Sequence, residues 1–531
     1  MSIIVSNMSY CLPDGKFIFK NISFSISPKS KCALVGANGC GKSSLISMLA
    51  GKTTSAEGDI TLGNTPYIVP QHFGQYNELT VGEVLGISDK LSALHSILSG
   101  NYSEKDFEIL GDDWTIEDNV RKALDSWGLT HINCNMQLGS LSGGEKTKVF
   151  LAGIELHNPR ILIMDEPTNH LDESSRKMLY NFIDTFSGTL LAASHDTTLL
   201  KHFSSILELS DKGIRRYPMS FDEYRELADN EKRALVENAE CLKKELRKER
   251  NIARKVAERQ QKQNSRGQRN SEKKCVARIA LGNLKNQAEN STARLNGMHN
   301  DKIETLKGKI AEATSEISEI GRMAVDLSSS DIHNGKILIE AKSLNLTFTD
   351  KGYLWPENIN LTIRSGDRIR VTGRNGSGKS SLMRIIMGDL APACGTIYRS
   401  DNLKCLYLDQ EYSLIDNNAT VAQQIQRFNR NSLQEHELNI RLSRFLFPES
   451  CWDKLCKTLS GGEKMRLSLC CLMVADNAPD IIIADEPTNN LDLFNMEVLT
   501  DTLYNYSGTL IIISHDSDFA NQLSLTTHID L

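Results

Sequence analysis

The chain has 531 residues, of which 61 are Lys or Arg and 67 are Asp or Glu, so its formal net charge is −6. At roughly 100–200 residues per domain this length predicts two to four domains. An apolar fraction of 40% with 24% charged residues excludes wholesale disorder. No apolar run reaches the ~18–20 residues that span a bilayer, and the first residues lack the basic and apolar regions of a signal peptide. We therefore expect a soluble, cytoplasmic protein.

The distribution of cysteine and charge along the chain leads to two further expectations. The 12 cysteines include no Cys-x-x-Cys pair, which argues against a zinc ribbon or an iron–sulfur cluster and favours free thiols in a reducing compartment. Residues 231–310 contain 21 Lys and Arg against 10 Asp and Glu, a local balance of +11 in an otherwise acidic chain. A basic segment of this kind favours contact with an anionic partner.

Four short motifs occur twice, in the same order and with similar spacing. They are Gly-x4-Gly-Lys-Ser, Leu-Ser-Gly-Gly-Glu, Asp-Glu-Pro-Thr-Asn and Ser-His-Asp, and each second copy follows the first by 318–337 residues. Their first residues are Gly36 and Gly373, Leu141 and Leu459, Asp165 and Asp485, and Ser194 and Ser514. This regularity indicates two copies of one domain, which we place at residues 1–222 and 335–531.

The first copy is longer than the second between a glutamine and the Leu-Ser-Gly-Gly-Glu motif. It takes 70 residues from Gln71 to Leu141, whereas the second copy takes 49 from Gln410 to Leu459. We expect a short insertion at about residues 84–128, which includes an acidic stretch over residues 101–120. Because acidic side chains are repelled by RNA phosphates, a solvated helical loop is the favoured interpretation.

Short apolar runs alternate with helical patterns in both copies. The runs Ile161–Met164 and Ile481–Ala484 have the all-apolar composition of strands that are buried on both faces. Each Gly-x4-Gly-Lys-Ser motif stands between such a run and a helix. The alternation predicts an α/β fold with a mainly parallel sheet in each copy.

Residues 223–334, between the two copies, have the pattern of a basic α-helical hairpin linker. Ser220 followed by Glu223 is a capping-box pattern that begins a helix, and apolar residues then recur at spacings of four and three. These residues are Leu235, Ala239, Leu242 and Leu246 in the first helix and Ile303, Leu306, Ile310, Ala313, Ile317 and Ile320 in the second. We expect a break near residues 264–267 and a first helix of about 40 residues, on the order of 60 Å long, that leads to a basic tip.

The Gly-x4-Gly-Lys-Ser motifs are phosphate-binding loops. Their glycines allow backbone N–H groups to surround a phosphate, the lysine reaches the β- and γ-phosphates, and the following serine holds Mg²⁺. The predicted nucleotide-binding residues are Gly36, Asn38, Gly39, Gly41, Lys42, Ser43 and Ser44 in the first copy and Gly373, Asn375, Gly376, Gly378, Lys379, Ser380 and Ser381 in the second. Two such loops in register with every later motif predict that the chain binds ATP with Mg²⁺.

Acidic, amide and imidazole side chains supply the chemistry expected beside each phosphate loop. Each Asp ends an apolar strand, where it can bind the metal, and the Glu that follows can polarise the attacking water as general base. The predicted metal ligands are Ser43, Gln71 and Asp165 in the first copy and Ser380, Gln410 and Asp485 in the second. The predicted catalytic residues are Glu166 and His195 in the first copy and Glu486 and His515 in the second, where each histidine contacts the γ-phosphate.

Leu-Ser-Gly-Gly-Glu is a second glycine-rich anion site that has no lysine, so it binds a phosphate only if another domain presents one. Together with the other motifs it resembles the signature of the ATP-binding cassette ATPases, in which the signature of one domain closes over the phosphate loop of the other. The resemblance implies two composite ATPase sites. Their signature residues are Ser142, Gly143 and Gly144 in one site and Ser460, Gly461 and Gly462 in the other. Tyr10 and Phe348 occupy the positions at which this family stacks an aromatic ring on adenine.

Two cassettes in one chain, joined by a charged helical linker and without a membrane domain, resemble the ABC-F group. The resemblance implies an ATPase that binds the ribosome in an ATP-dependent way near the tRNA exit site. Its linker would contact rRNA, with tRNA as a second candidate, and would modulate translation or protect the ribosome from antibiotics. The resemblance also implies a cytoplasmic monomer whose cassettes pair within the chain, with no membrane partner and no obligate protein subunit. Two alternatives stay open, the ATPase subunit of a transporter with a separate membrane partner and a DNA-maintenance ATPase.

Overall fold

The computed structural model describes most of the two copies and part of the linker. The described residues are 3–12, 15, 17–53, 57–210, 212–271, 301–311, 333, 335–347, 352–409, 412–429, 433–475, 479–489 and 491–531. The chain divides into one unit of Met1–Tyr224 with Met323–Leu531 and a second unit of Arg225–Arg322. Both copies therefore belong to the same unit. The domain boundaries taken from the sequence stay predictions.

The first copy is built on a large, mainly parallel sheet. In the described part of the chain its strand order is Tyr67–Val69, Ile161–Asp165, Thr189–Ala193, Lys31–Val35, Ser205–Ser210 and Gly213–Tyr217. The first five strands run parallel and the last pairs antiparallel with its neighbour. A smaller antiparallel sheet contains Phe17–Ile26, Ile3–Cys11 and Glu57–Leu62, in that order.

The second copy repeats this architecture. Its parallel sheet has the strand order Cys405–Leu408, Ile481–Asp485, Thr509–Ile513, Arg368–Thr372 and Thr527–Asp530. Its antiparallel sheet has the order Ile359–Arg364, Ile337–Asn345 and Cys394–Arg399. The predicted α/β fold with a mainly parallel sheet in each copy is confirmed.

Helices cover the large sheets. In the first copy the α-helices are Lys42–Leu49, Val81–Val84, Ser88–Leu98, Glu104–Leu110, Ile116–Ser126, Gly143–His157, Glu173–Thr185 and Thr197–Leu200. In the second copy they are Lys379–Met387, Val421–Phe428, Glu435–Arg444, Gly461–Val474, Leu493–Asn505 and Ser517–Gln522.

Burial on both faces explains why the central strands are continuously apolar. In the first copy Leu162 and Met164 belong to the core cluster on one face of the sheet, whereas Ile161 and Ile163 belong to the cluster on the other. Strand Ile481–Asp485 divides its side chains in the same way. Because successive side chains of a strand point to opposite faces, each position of these runs must be apolar. The polar residue that follows each run then lies at the carboxyl edge of the sheet, where the phosphate loops also lie.

The longer segment of the first copy is helical, as expected from the sequence. It contains the helices Ser88–Leu98, Glu104–Leu110 and Ile116–Ser126. Helix Glu104–Leu110 begins with a capping box, in which the Ser103 backbone N–H donates to Asp106 Oδ2 at 2.6 Å. The surface of this segment is not only acidic, because the residues Tyr102, Phe107 and Trp114 are 57%, 42% and 50% exposed.

The linker begins with a single long helix, Phe221–Ser271. The predicted capping box forms, since the Ser220 backbone N–H donates to Glu223 Oε2 at 2.9 Å. The break expected at residues 264–267 is wrong, because the helix continues through them. One glycine lowers the stability of a helix by only about 1 kcal/mol relative to alanine, which is too little to interrupt a long helix. The observed 51 residues extend about 77 Å at 1.5 Å per residue.

The return arm of the predicted hairpin is described over residues 301–311, which are helical. Lys302 forms an ion pair with Glu249 of the long helix, and Leu306 and Ala239 are buried. The two arms therefore contact each other within the linker unit. Residues 272–300, and the later seam residues Ala313, Ile317 and Ile320, lie outside the described residues.

Candidate functional site

Each phosphate loop connects a central strand to a helix at the carboxyl edge of its sheet. Strand Lys31–Val35 leads through the loop to helix Lys42–Leu49. Lys42 is 8% exposed, and its Nζ donates to the Gly36 and Ala37 carbonyl oxygens at 2.8 and 3.1 Å. In the second copy Lys379 Nζ makes the equivalent bonds, of which the one to Gly373 O is 2.8 Å. The loop is thus closed around its own lysine.

Glycine is required at the last loop position before each helix. Gly41 and Gly378 have φ of 99° and 93°, a region that residues with a Cβ rarely adopt. A Cβ at Gly41 would lie 2.5 Å from Ile18 Cγ2. Backbone N–H groups at the start of the following helix consequently face the loop interior, where they favour an anion.

The predicted metal ligands converge beside the helix that follows each loop. Ser380 Oγ donates to Asp485 Oδ2 at 2.8 Å, and in the first copy Ser43 Oγ donates to Gln71 Oε1 at 3.4 Å. Asp165 and Asp485 are 5% and 8% exposed. Burial raises the pKa of Asp165, against hydrogen bonding from Ser43 and the charge of Lys42. Gln410 and the adenine-stacking candidate Phe348 lie outside the described residues.

The two candidate general bases are held in strained backbone conformations. Glu166 and Glu486 both have φ of 47°, in the left-handed region, which costs a residue with a Cβ on the order of 1–3 kcal/mol. In each case the backbone N–H donates at 2.8 Å to the last carbonyl of a neighbouring strand, at Ala193 and Ile513. The carboxylate is therefore positioned by the sheet itself.

Each candidate histidine lies against the glutamate of its own copy. The backbone N–H of His195 donates to Glu166 Oε2, and that of His515 donates to Glu486 Oε2, both at 3.4 Å. The ring Nε2 atoms lie 3.7 and 3.5 Å from the second carboxylate oxygens of Glu166 and Glu486. Imidazole, carboxylate and phosphate loop thus share one small space in each copy.

Burial controls the protonation of these side chains. It raises the pKa of Glu166 to about 8, with the charge of Lys42 acting in the opposite direction. It raises the pKa of Glu486 to about 7, and here the opposing charge is that of Arg176. Burial and the nearby loop lysine lower the pKa of His515 to about 4 and that of His195 well below its usual value. The histidines are consequently neutral hydrogen-bonding groups at pH 7.

Two cavities each combine the phosphate loop of one copy with the Leu-Ser-Gly-Gly-Glu motif of the other. A cavity of about 370 Å³ is lined by Asn38, Gly39, Gly41, Lys42, Ser43, Ser44, Gln71, Asp165, Glu166 and His195 of the first copy and by Ser460 and Gly461 of the second. A cavity of about 560 Å³ is lined by Asn375, Gly376, Gly378, Lys379, Ser380, Ser381, Asp485, Glu486 and His515 of the second copy and by Ser142, Gly143 and Gly144 of the first. The structure thereby brings most of the predicted residues together.

Four described residues of the predicted set do not line these cavities, namely Gly36, Gly373, Gly462 and Tyr10. Gly462 lies in the first turn of its helix, where a Cβ would approach Asn495 Nδ2 at 2.4 Å. Tyr10 lies on strand Ile3–Cys11, with its ring centroid 6.1 Å from that of Phe19. Ile18, which the sequence did not single out, lines the cavity near this strand. Gly36 and Gly373 accept hydrogen bonds at their carbonyl oxygens from Lys42 and Lys379.

Direct hydrogen bonds hold the two copies in this crosswise arrangement. The backbone N–H of Asn38 donates to Asp492 Oδ2 at 2.9 Å, and Asn375 Nδ2 donates to the His170 carbonyl at 2.7 Å. A Cβ at Gly144 would lie 2.6 Å from that same carbonyl. Ser142 and Ser460 are the N-caps of the helices Gly143–His157 and Gly461–Val474. Each helix therefore begins at the cavity of the opposite copy, with its positive end toward it.

The side chains in the cavities fit a phosphate, a water molecule and a hard divalent cation. Among the described residues Glu166 Oε1, Glu486 Oε1 and both ring nitrogens of His195 have no hydrogen-bond partner. Buried polar atoms of this kind are rarely left unpaired, so these atoms fit a bound polar group. No cluster of three or more His, Cys, Asp or Glu able to hold a metal occurs in the described part of the chain. Mg²⁺ does not need one, since it is usually held by one or two carboxylates and substrate phosphates.

Arg176 was missed by sequence reasoning. It follows the Asp-Glu-Pro-Thr-Asn motif in helix Glu173–Thr185, is 6% exposed and lines the larger cavity. Its guanidinium lies 3.3 Å from Asp196 Oδ2 and donates to the Leu171 carbonyl. The equivalent residue 320 positions later is Met496. The sequence signal that could have identified Arg176 is this difference between the two copies at equivalent positions.

Replacing Arg176 with Ala is expected to lower the free energy of unfolding by about 3–5 kcal/mol, because it leaves the buried Asp196 carboxylate without its charged partner. The neighbouring Lys177→Ala is the control. Lys177 pairs with Glu173 at 2.8 Å, but its side chain is 69% exposed, so its loss should cost less than about 1 kcal/mol. Urea denaturation of both variants measures the contrast. Equal losses in the two variants would contradict this account of the buried pair.

The sequence of the chain matches the family described as ABC transporter over residues 19–169 and 356–489. The chain belongs to the ABC transporter family. The ATP-binding protein Uup of Haemophilus influenzae is 30% identical over 518 residues, which cover 93% of this chain and 73% of that protein. The probable ATP-binding protein YbiT of Escherichia coli O157:H7 is 29% identical, with coverage of 96% and 92%. The predicted relationship to the ABC-F proteins is thereby confirmed.

The fold is also shared with a solved structure of two cassettes. An archaeal ribosome recycling factor, determined in complex with a ribosomal stalk protein, superimposes with a TM-score of 0.56 at 15% identity, covering 97% of this chain and 86% of that one. Among the described residues of this chain, no helix is both long and apolar enough to cross a membrane. Nucleotide binding and ATP hydrolysis are assigned to the chain at the level of its family.

Proposed function

We propose that this ABC-F protein binds two ATP molecules between its cassettes, hydrolyses them at two composite sites and uses this cycle to bind and leave the ribosome. The crosswise pairing of each phosphate loop with the opposite signature motif carries the proposal. A signature that has no lysine can reach a phosphate only in such an arrangement. ATP binding would therefore favour closure of the cassettes, and hydrolysis would favour their opening.

The residues of each site have separate tasks in this proposal. In the first site Lys42 and the loop N–H groups bind the phosphates, while Ser460 and the helix that it caps bind the γ-phosphate from the opposite side. Ser43, Gln71 and Asp165 would hold Mg²⁺, which when bound neutralises charge on the β- and γ-phosphate oxygens. In its ionised form Glu166 orients the attacking water and accepts its proton, and neutral His195 donates a hydrogen bond to the γ-phosphate. In the second site these tasks fall to the equivalent residues Lys379, Ser142, Ser380, Gln410, Asp485, Glu486 and His515.

The ribosome is the proposed partner because of the linker. Residues 231–310 carry a balance of +11, and a long helix such as Phe221–Ser271 can carry basic side chains deep into an RNA assembly. The archaeal structural relative is a ribosome recycling factor, and the chain shares the ABC-F organisation. We propose that the linker contacts rRNA, and tRNA in addition, near the tRNA exit site of cytoplasmic ribosomes. There it would modulate translation or protect the ribosome from antibiotics, without a membrane partner or an obligate protein subunit and as a monomer.

Co-sedimentation separates this proposal from its alternatives. The purified chain would be mixed with ribosomes, membrane vesicles or duplex DNA in the presence of ATP, ADP or no nucleotide. We expect pelleting with ribosomes that is strongest with ATP and with a non-hydrolysable ATP analogue. Binding to vesicles alone would favour a transporter subunit, and binding to DNA alone would favour a DNA-maintenance ATPase. Either result would refute the ribosomal function while leaving the ATPase assignment intact.

Replacing Ser460 with Arg should inactivate the site that contains Lys42, across the interface, because a long cation would occupy the position of the γ-phosphate. Ser142→Arg is the matched control and should inactivate the site that contains Lys379 instead. Photo-crosslinking of an azido-ATP analogue, followed by peptide mapping, would show which phosphate loop loses its nucleotide. Loss of nucleotide from the loop of the mutated copy would mean that the sites are not shared between cassettes.

A further inference from the structure

The two candidate metal sites differ at one tyrosine that the ATPase mechanism does not use. Tyr407 lies on strand Cys405–Leu408, beside the strand that ends at Asp485. Its hydroxyl donates to Asp485 Oδ2 at 2.7 Å, and Ser380 Oγ donates to the same oxygen at 2.8 Å. A buried carboxylate oxygen thus accepts hydrogen bonds from two hydroxyl groups in the second copy.

The first copy has an apolar residue at this position. Tyr407 pairs with Ile483 and Ile68 pairs with Ile163, and these partners are equivalent in the duplication. Ile68 packs against the apolar core between the two sheets. The neighbouring Tyr67 does not replace the missing phenol, because its hydroxyl donates to the Phe150 carbonyl at 2.9 Å. Asp165 therefore lacks the contact that Tyr407 makes with Asp485.

The hydrogen bond from Tyr407 fixes one oxygen of the Asp485 carboxylate. Because the hydroxyl donates to Asp485 Oδ2 at 2.7 Å from a neighbouring strand, it restrains the orientation of that carboxylate. Groups that orient a metal-binding carboxylate commonly change metal affinity by about 10–100-fold when they are removed.

We infer that Tyr407 is a positioning residue for Asp485 and makes the second composite site bind its divalent cation more tightly than the first. This inference rests on the proposed binding of ATP with Mg²⁺ at both sites. The two composite sites would therefore differ in cation affinity, although their sequence motifs are equally complete. The site with the phenol would retain its metal and nucleotide at cation concentrations that leave the other site without metal.

The test measures metal affinity without turnover. Mn²⁺ substitutes for Mg²⁺ at oxygen ligands and can be followed by electron paramagnetic resonance in the full chain with a non-hydrolysable ATP analogue. A Lys42→Ala background weakens the first site, so that the signal reports the second. In this background Tyr407→Phe should raise the Kd for Mn²⁺ by about 10-fold, while binding of the analogue without metal should change less than twofold.

Tyr67→Phe in the same background is the matched control. It removes a phenol hydrogen bond from the equivalent strand of the first copy. Because the Tyr67 hydroxyl donates to the Phe150 carbonyl and not to Asp485, the Kd for Mn²⁺ should stay unchanged. Adding Asp485→Asn tests whether Tyr407 acts through that carboxylate. In the Asp485→Asn variant, Tyr407→Phe should cause no further loss of Mn²⁺ affinity, whereas a residue that only supports packing would cause the same loss in both backgrounds.

The outcomes separate this inference from the proposed function. If the wild-type chain bound no nucleotide with or without metal, the proposed ATPase function would fail. If nucleotide and Mn²⁺ bound normally and Tyr407→Phe had the Kd of its parent, only the positioning role would be overturned. Comparable melting temperatures of the Tyr407→Phe and Tyr67→Phe variants would verify that the metal effect does not arise from unfolding.

Discussion

Replacing Glu166 and Glu486 together with Gln is expected to lower the ATPase kcat by about 10²–10⁴-fold and to leave ATP binding intact. The Glu486 side chain is buried and that of Glu166 is 10% exposed, and both carboxylates have one oxygen with no hydrogen-bond partner among the described residues. An amide of the same size preserves packing and the hydrogen bond from the histidine backbone, but it cannot accept a proton from water. Asp165 and Asp485, the side chains proposed to hold Mg²⁺, are unchanged, so the nucleotide should remain bound.

Phosphate release measures kcat, and equilibrium binding of a fluorescent ATP analogue measures occupancy. Glu435→Gln, which alters an exposed carboxylate at the start of helix Glu435–Arg444, is the control and should behave as the parent chain. The double variant should also accumulate on ribosomes with ATP, because it closes but does not reopen. A kcat equal to that of the parent would show that neither glutamate is the general base.

Charge reversal in the linker is expected to produce the second large effect. Arg259, Lys262, Arg266 and Arg269 lie on the long helix, and their spacing of three and four residues places them along one side of it. Changing all four to Glu should remove up to four phosphate contacts and add repulsion. The dependence of the logarithm of ribosome affinity on the logarithm of salt concentration should become shallower by about 0.7–0.9 for each lost contact.

Pelleting with ribosomes between roughly 50 and 200 mM salt measures this change, because phosphate contacts weaken strongly over that range. ATPase activity without ribosomes should stay close to that of the parent, since these residues belong to neither cassette. Replacing Arg259, Arg266 and Arg269 with Lys is the matched control, because it changes the side chains and keeps their charge. If the four-Glu variant pelleted with ribosomes like the parent at every salt concentration, the basic residues of the linker would not contribute to ribosome binding.

The sequence by itself was sufficient to predict the α/β cassettes and the positions of their loops. Runs such as Ile161–Met164 are apolar because both faces of the sheet are covered, and that requirement is visible in the composition of the run. The start of the linker helix could also be predicted from the sequence, since the capping box of Ser220 and Glu223 involves residues only three positions apart. The continuation of the helix through residues 264–267 could not be predicted, because polar residues and one glycine are compatible with both helix and turn.

Relations between distant residues were decided only by the tertiary structure. The pairing of Lys42 with Ser460 in one cavity depends on how two separately folded cassettes meet, which no local pattern encodes. The left-handed conformation of Glu166, the buried pair of Arg176 with Asp196 and the hydrogen bond from Tyr407 to Asp485 likewise arise where separate strands and helices converge. Repeated motifs therefore predict two equal sites, whereas the residues packed around those motifs, which are free to differ between the copies, make the sites unequal.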